Sequence, residues 1–311
     1  MMAQGKTATI WFLWLLVLFL WQCIATAAVE TSFVAKPGCN ERCGDVIVPY
    51  PFGIDKSDCA KNEAFLLKCN RTTNPPKLYL SNVFVYNISV ENSTVTVGID
   101  AASVCYDETG IAWESHQHIT LLNTPLTFSN TRNKFTALGC DNLAFMDDAD
   151  GGFGGGCFSF CGYNKSSSDD GSCSGFGCCQ TPIPKQLKTL NMTIEKINNT
   201  SDYSGSGISC MYAFLTDPTL FNISKIDLHT ILSGDQYPSP PVVLDWVVGK
   251  DKCEASEGPS GYPCGGPPGS TSCNYSDNGL GHRCLCMEGY FGNPYHPQGC
   301  QGDFINSSHS Y

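Results

Sequence analysis

Gly38–Ile54 reads GCNERCGDVIVPYPFGI. Pro49 and Pro51 fix their own φ and bias Val48 and Tyr50 towards extended backbone. Gly44 and Gly53 flank the segment and permit turns. The residues specify a stiff extended strip held near Cys39 and Cys43. Tyr50 and Phe52 are two apart, so on such a strip both rings point the same way.

The cysteines run outward from this stretch. The chain has 311 residues and 19 cysteines. Cytosolic thiols stay reduced, so this density points to an oxidising compartment. Residues 1–28 read as a secretory signal peptide: Lys6 supplies the basic n-region, Ile10–Trp21 (IWFLWLLVLFLW) the apolar h-region, and Ala25-Thr26-Ala27 the small-residue cleavage site. A bilayer span needs about 20 apolar residues. The h-region therefore favours cleavage over anchoring, and nothing downstream is long or apolar enough to span. Removing Cys23 leaves twelve cysteines from Cys39 to Cys210 and six from Cys253 to Cys300. Each even group can close on itself, with connectivity open. The expectation is a protein that is secreted, extracellular or in a cell wall.

Composition narrows the fold. Gly and Pro number 31 and 18, and charged residues are only 15% of the chain, which disfavours helical bundles and coiled coils. A hydrophobic content of 42% is too high for general disorder. A net charge of −11 argues against nucleic acid. Lys77–Tyr86 (KLYLSNVFVY) and Asn87–Asp100 are rich in strand formers; Val95, Val97 and Ile99 alternate with Thr96 and Gly98. Glu91-Asn92-Ser93 reads as the turn of a hairpin. Ile119–Leu122, Lys134–Leu138, Met192–Ile197, Ser209–Leu215 and Val242–Val248 are further strand candidates. Asp150–Gly156 (DGGFGGG) and Ser166–Gly175 (SSSDDGSCSG) read as flexible loops. The predicted fold is a mostly β, disulfide-rich ectodomain of short antiparallel strands and long loops, followed by a small module.

That module has the spacing Cys253-x10-Cys264-x8-Cys273-x10-Cys284-x-Cys286-x13-Cys300, with Gly289-Tyr290-Phe291-Gly292 before the last cysteine. It resembles an epidermal-growth-factor-like (EGF-like) domain. The resemblance implies the pairs Cys253–Cys273, Cys264–Cys284 and Cys286–Cys300. A segment this short cannot bury enough apolar surface to fold unaided. The calcium-binding subtype has an acidic run before its first cysteine; here Gly249-Lys250-Asp251-Lys252 carries two lysines, so no calcium site is expected in this module.

The amino-terminal pattern, Cys39-x3-Cys43-Gly44-x4-Pro49-Tyr50-Pro51-Phe52-Gly53, resembles the start of the galacturonan-binding region of plant wall-associated receptor kinases. Val104-Cys105-Tyr106, Gly171–Pro184, Cys210–Leu215, Val243–Trp246 and Gly289–Gln301 look like later landmarks of the same ectodomains. The resemblance implies a region 36–106 that binds galacturonan, a cysteine-rich β continuation over 107–250, the EGF-like module at 253–300 and a tail at 301–311. It implies pectin or oligogalacturonides as partners, with receptor-kinase ectodomains as alternative protein partners. The sequence ends at Tyr311 without the HRD or DFG run of a kinase, and reads either as a soluble receptor-like form or as a truncated gene model.

Galacturonan is a polyanion, so its binding needs cations. Residues 36–77 hold Lys36, Arg42, Lys56, Lys61, Lys68, Arg71 and Lys77 against five acidic side chains, while the acidic excess lies beyond residue 136. At ~0.15 M salt, charges more than about 8 Å apart are largely screened. A local basic patch can then act despite the distant acidic half. Arg42 and Arg71 are the better carboxylate partners, since guanidinium binds bidentately. The candidate binding set is Arg42, Tyr50, Phe52, Lys56, Lys61, Lys68, Arg71 and Lys77. Two readings stand for Tyr50 and Phe52: core packing, or a platform for sugar rings. For each lysine the alternative is an ordinary mixed-charge surface.

Asn-x-Ser/Thr triplets at Asn70, Asn87, Asn92, Asn164, Asn191, Asn198, Asn222, Asn274 and Asn306 are candidate glycosylation sites, with Asn199 adjacent to Asn198. Asp147-Asp148-Ala149-Asp150 reads as a solvated acidic turn rather than a calcium loop. His116 and His118 read as exposed strand residues. Cys178-Cys179 reads as two separate structural disulfides. There is no Gly-x-Ser-x-Gly elbow, His-Glu-x-x-His or phosphate loop, so neither an enzyme nor a cofactor or metal is expected.

Overall fold

The computed structural model describes residues 34–106, 110, 112–161, 173–197, 209–223, 238–250, 253 and 264–302. The leader segment, Asn164, Asn198, Asn306 and most of the 301–311 tail lie outside the described residues. From Phe33 onward the chain forms one compact unit.

Alternation of side chains builds the largest sheet. Leu67, Leu78, Val85 and Val97 are fully buried on its inner face. Burial of each such side chain contributes about 1.5–3 kcal/mol. The sheet has seven strands in the order Leu126–Phe128, Pro241–Trp246, Thr94–Gly98, Val83–Ser89, Lys77–Leu80, Leu66–Asn70 and Gly53–Ile54. Neighbours are antiparallel except the last pair, where Gly53–Ile54 runs parallel to Leu66–Asn70. The hairpin turn before Thr94 closes through Ser93 N–H donating to the Val90 carbonyl. One expectation changes here. Lys77–Tyr86 is two strands rather than one: Leu80 pairs with Val83, and Ser81 takes φ +56° to turn the chain back. The sheet also recruits Leu126–Phe128 and Pro241–Trp246 from beyond residue 106.

A five-stranded antiparallel sheet follows the order Cys178–Pro182, Lys134–Leu138, Ser209–Thr216, Ala102–Tyr106 and Ala112–Ser115. A four-stranded one follows Gln117–Thr120, Thr189–Lys196, Asn142–Asp147 and Gly154–Ser159. Its last strand corrects the loop expected at Asp150–Gly156. Only the front of that stretch turns; Gly154–Gly156 pair with Phe145–Asp147. Glycine is accommodated because a Cβ at Gly156 would lie 2.4 Å from the Ala144 carbonyl oxygen.

Among the described residues the cysteines form nine disulfides. Six join Cys39–Cys59, Cys43–Cys69, Cys105–Cys210, Cys140–Cys161, Cys157–Cys179 and Cys173–Cys178. The vicinal pair Cys178-Cys179 serves two of them. Three close the carboxy-terminal module as Cys253–Cys273, Cys264–Cys284 and Cys286–Cys300. The module is not a free appendage. Asn293 Nδ2 donates to the Tyr50 carbonyl at 2.6 Å, and Asn278 Nδ2 to the Phe128 carbonyl at 2.8 Å. The Tyr295 ring lies 5.0 Å from that of Trp246.

Phe52 belongs to the same aromatic core. It is 1% exposed and meets Phe65 edge-on at 5.1 Å and Trp246 at 5.5 Å. Of the two readings of Phe52, its burial fits core packing and leaves no exposed ring face for a sugar. The segment does not stay extended: Phe52 N–H donates to the Pro49 carbonyl, closing a turn over a cis Tyr50–Pro51 bond. Tyr50 and Phe52 thus take different environments. Tyr50 is half-buried, with the Lys36 ammonium 4.8 Å from its ring centre.

Candidate functional site

The cations expected to act together are spread over three places. Arg42 is exposed on a small ladder where it pairs with Ile47. Lys56 and Lys61 are exposed beside the short 3-10 turn Ser57–Cys59. Lys68 and Lys77 stand on the seven-stranded sheet. Arg71 is already engaged: its Nη1 donates to Asp55 Oδ2 at 2.7 Å and to the Cys69 carbonyl at 3.3 Å. Asp55 also accepts from Cys69 N–H. Burial alone would raise the Asp55 pKa, but these bonds and the Arg71 charge together hold it below the usual carboxylate value.

The sheet assembles a group of side chains on its outer face. Lys68 sits opposite Tyr79, and Tyr79 opposite Phe84. Directly paired residues share a face, so all three project away from the Leu67–Leu78–Val85 core. Asn70 pairs with Lys77 on the same face, and the Lys77 ammonium lies 5.8 Å from the Phe84 ring centre. Phe84 and Tyr86 meet edge-on at 4.8 Å, and Tyr79 and Phe84 at 6.1 Å. Tyr86 sits where the pairing register shifts, between Val85 and Asn87. Its hydroxyl donates to the Ser239 carbonyl at 3.0 Å. Gly98 makes room for that ring, since a Cβ there would be 3.2 Å from it. Burial, and secondarily the Asp100 charge, raise the Tyr86 pKa.

The result is an aromatic strip of Tyr79, Phe84 and Tyr86 bordered by two ammonium groups. Tyr86 is 42% exposed, and Tyr79 and Phe84 are partly exposed. Such a surface offers C–H contact to a sugar ring and positive charge to a carboxylate. Sequence reasoning missed its aromatic members. In one continuous strand Tyr79 and Phe84 would lie on opposite faces; the turn at Ser81-Asn82 restores them to one. The signal was present as alternation within KLYL and within VFVY separately.

The remaining candidates are placed as follows. Asn87, Asn92, Asn222 and Asn274 are exposed. Asn70 is half-buried, its Oδ1 accepting from Thr72 N–H and Oγ1. Asn191 is also half-buried, between Asp147 and His118, and donates to Asp147 Oδ1 at 2.7 Å. Asp148 Oδ1 accepts from Phe153 N–H across the acidic turn. His116 is exposed, 3.5 Å from Glu114.

A family model described as wall-associated receptor kinase galacturonan-binding matches residues 39–98. One described as wall-associated kinase matches residues 170–253. Wall-associated receptor kinase 2 of Arabidopsis thaliana is 34% identical over 281 residues, 88% of this chain and 36% of that protein. Wall-associated receptor kinase 1 of the same plant is 32% identical over 294 residues, 92% of this chain and 37% of that protein. The chain thus spans little more than a third of the length of these curated relatives. No solved structure matches the chain. Among the described residues, no helix is long and apolar enough to cross a membrane. The outer strip falls within residues 39–98.

Proposed function

We propose that this chain, which matches the ectodomain portion of wall-associated receptor kinases, is an extracellular pectin-binding protein that holds galacturonan on the outer face of Leu66–Asn70, Lys77–Leu80 and Val83–Ser89. The observation that carries this reading is the strip Lys68–Tyr79–Phe84–Tyr86 with Lys77 over Phe84. A linear polyanion of sugar rings needs both contact types that the strip offers. The role is recognition without catalysis, in a secreted and glycosylated chain. Nine disulfides suit that compartment. A glycan on Asn70 would stand at the edge of the strip, beside Lys77. Binding of the oxidised, secreted protein to polygalacturonate at rising salt is the direct test. Binding that weakens with salt supports the reading, and absence of binding at low salt removes it.

A second reading has its own observation. Phe145, Phe158, Phe160 and Phe176 are each exposed, with Phe158 and Phe160 5.3 Å apart. Contiguous exposed apolar surface marks protein contact sites. This patch would serve association with full-length receptor ectodomains. Capture of such receptors from pectin-depleted extract, abolished by Phe158→Ser, supports it; retention by pectin alone counts against it.

A further inference from the structure

A cleft of about 400 Å³ opens where the carboxy-terminal module meets the main body. Lys188 and Lys250 line it, together with Asn62, Gln186, Leu122 and Leu280. Lys188 is only partly exposed, and its ammonium donates to the carbonyls of Thr124 and Leu126. Those carbonyls are dipoles and supply no counter-charge. Burial lowers the Lys188 pKa, and the positive charge of Lys250 lowers it further. Both lysines line the same cleft, so it gathers two positive charges. Among the described residues that line the cleft none is acidic, and neither lysine forms an ion pair with a described residue.

Two cations that line one cleft are costly in isolation and favourable around an anion. The rest of the lining fits a sugar. The Asn62 and Gln186 amides suit hydroxyl groups, and Leu122 and Leu280, 51% and 80% exposed, are apolar walls for a ring face. We propose that this cleft is a second binding site that takes one uronic acid unit, its carboxylate between Lys188 and Lys250. The inference rests on the reading of the chain as a galacturonan binder and adds a place distinct from the outer strip. Lys188 belongs to the main body and Leu280 to the module. An occupied cleft therefore holds the two parts together.

Calorimetric titration of the secreted full chain with trigalacturonate tests the site. Wild type is expected to show two classes of site. Lys250→Glu, at an exposed position, should lose one class or weaken it by about tenfold or more, the scale of one charge-assisted contact. Lys188→Gln should do the same, and Lys250→Glu keeps the test valid if Lys188→Gln misfolds. The double variant Tyr79→Ala/Phe84→Ala should lose the other class only. An unchanged titration for Lys250→Glu overturns the cleft site and leaves the strip standing. Loss of all binding in the strip variant also overturns the cleft. Loss confined to the lysine variants removes the strip and keeps the cleft, and no binding by wild type removes both.

Discussion

Tyr79 sits directly opposite Phe84, their ring centres 6.1 Å apart, on the solvent side of a hairpin turned by Ser81 and Asn82. Lys68 adjoins one ring and Lys77 the other. The inner face of the same strands is fully buried through Leu67, Leu78 and Val85. The hairpin thus separates a face that holds the fold from a face free to meet a ligand.

Phe52 lies on the buried side of that division. Phe52→Ala is expected to cost about 3–5 kcal/mol through lost burial and the cavity left beside Phe65 and Trp246. Denaturant unfolding under non-reducing conditions measures it. A cost near zero would place Phe52 outside the core.

The lysines of the strip should govern salt dependence. Lys68→Gln and Lys77→Gln each remove one ammonium from a site for a linear polyanion. The slope of log affinity against log salt should become shallower by roughly one or less per charge. Binding to polygalacturonate between low and physiological salt gives the slope. Wild-type slopes in both variants would assign the electrostatics to other cations.

Tyr295 fastens the module to the body. Its hydroxyl accepts from Cys284 N–H at 2.9 Å and lies 3.3 Å from Ser93 Oγ. Tyr295→Phe removes the hydroxyl that accepts from Cys284 N–H and contacts Ser93, a loss of about 1–3 kcal/mol. Hydrogen exchange at Cys284 should accelerate. Unchanged exchange would show that the hydroxyl does not hold the Cys284 N–H.

Asp55 sets an acid-side dependence. Its pKa is lowered in the folded chain, so its stabilisation is present above the ordinary carboxylate range. That stabilisation is lost as pH falls through the lowered folded value. Asp55→Asn should flatten this decline in the region around Arg71 and Cys69. Asparagine tolerates the φ of +61° at this position, so backbone conformation is preserved. An identical acid profile for the variant would assign the decline to other carboxylates.

What could be read from the residues follows physical range. Cysteine counts and spacing are local, and the module's six cysteines form their own three bonds. Alternation at Val95–Ile99 and the Lys134–Leu138 strand are equally local and match the observed bounds closely. Relations set by a turn or by distant packing were hidden. Ser81 reverses KLYLSNVFVY and changes which residues share a face. The fate of Phe52 depends on Trp246, almost two hundred positions away. Charge counts placed Lys68, Lys77 and Arg71 in one region but could not show that Lys68 and Lys77 share a sheet face while Arg71 is held by Asp55.

The central claim is that the aromatic strip carries pectin binding. It is tested most directly by the affinity of Tyr79→Ala/Phe84→Ala for immobilised polygalacturonate, beside wild type, at fixed low salt. Each lost ring contact is expected to weaken binding several-fold, on the scale of about 0.5–1.5 kcal/mol, so the pair should fall by about tenfold or more in a variant that still folds. Wild-type affinity in a folded double variant would contradict a binding site on this face.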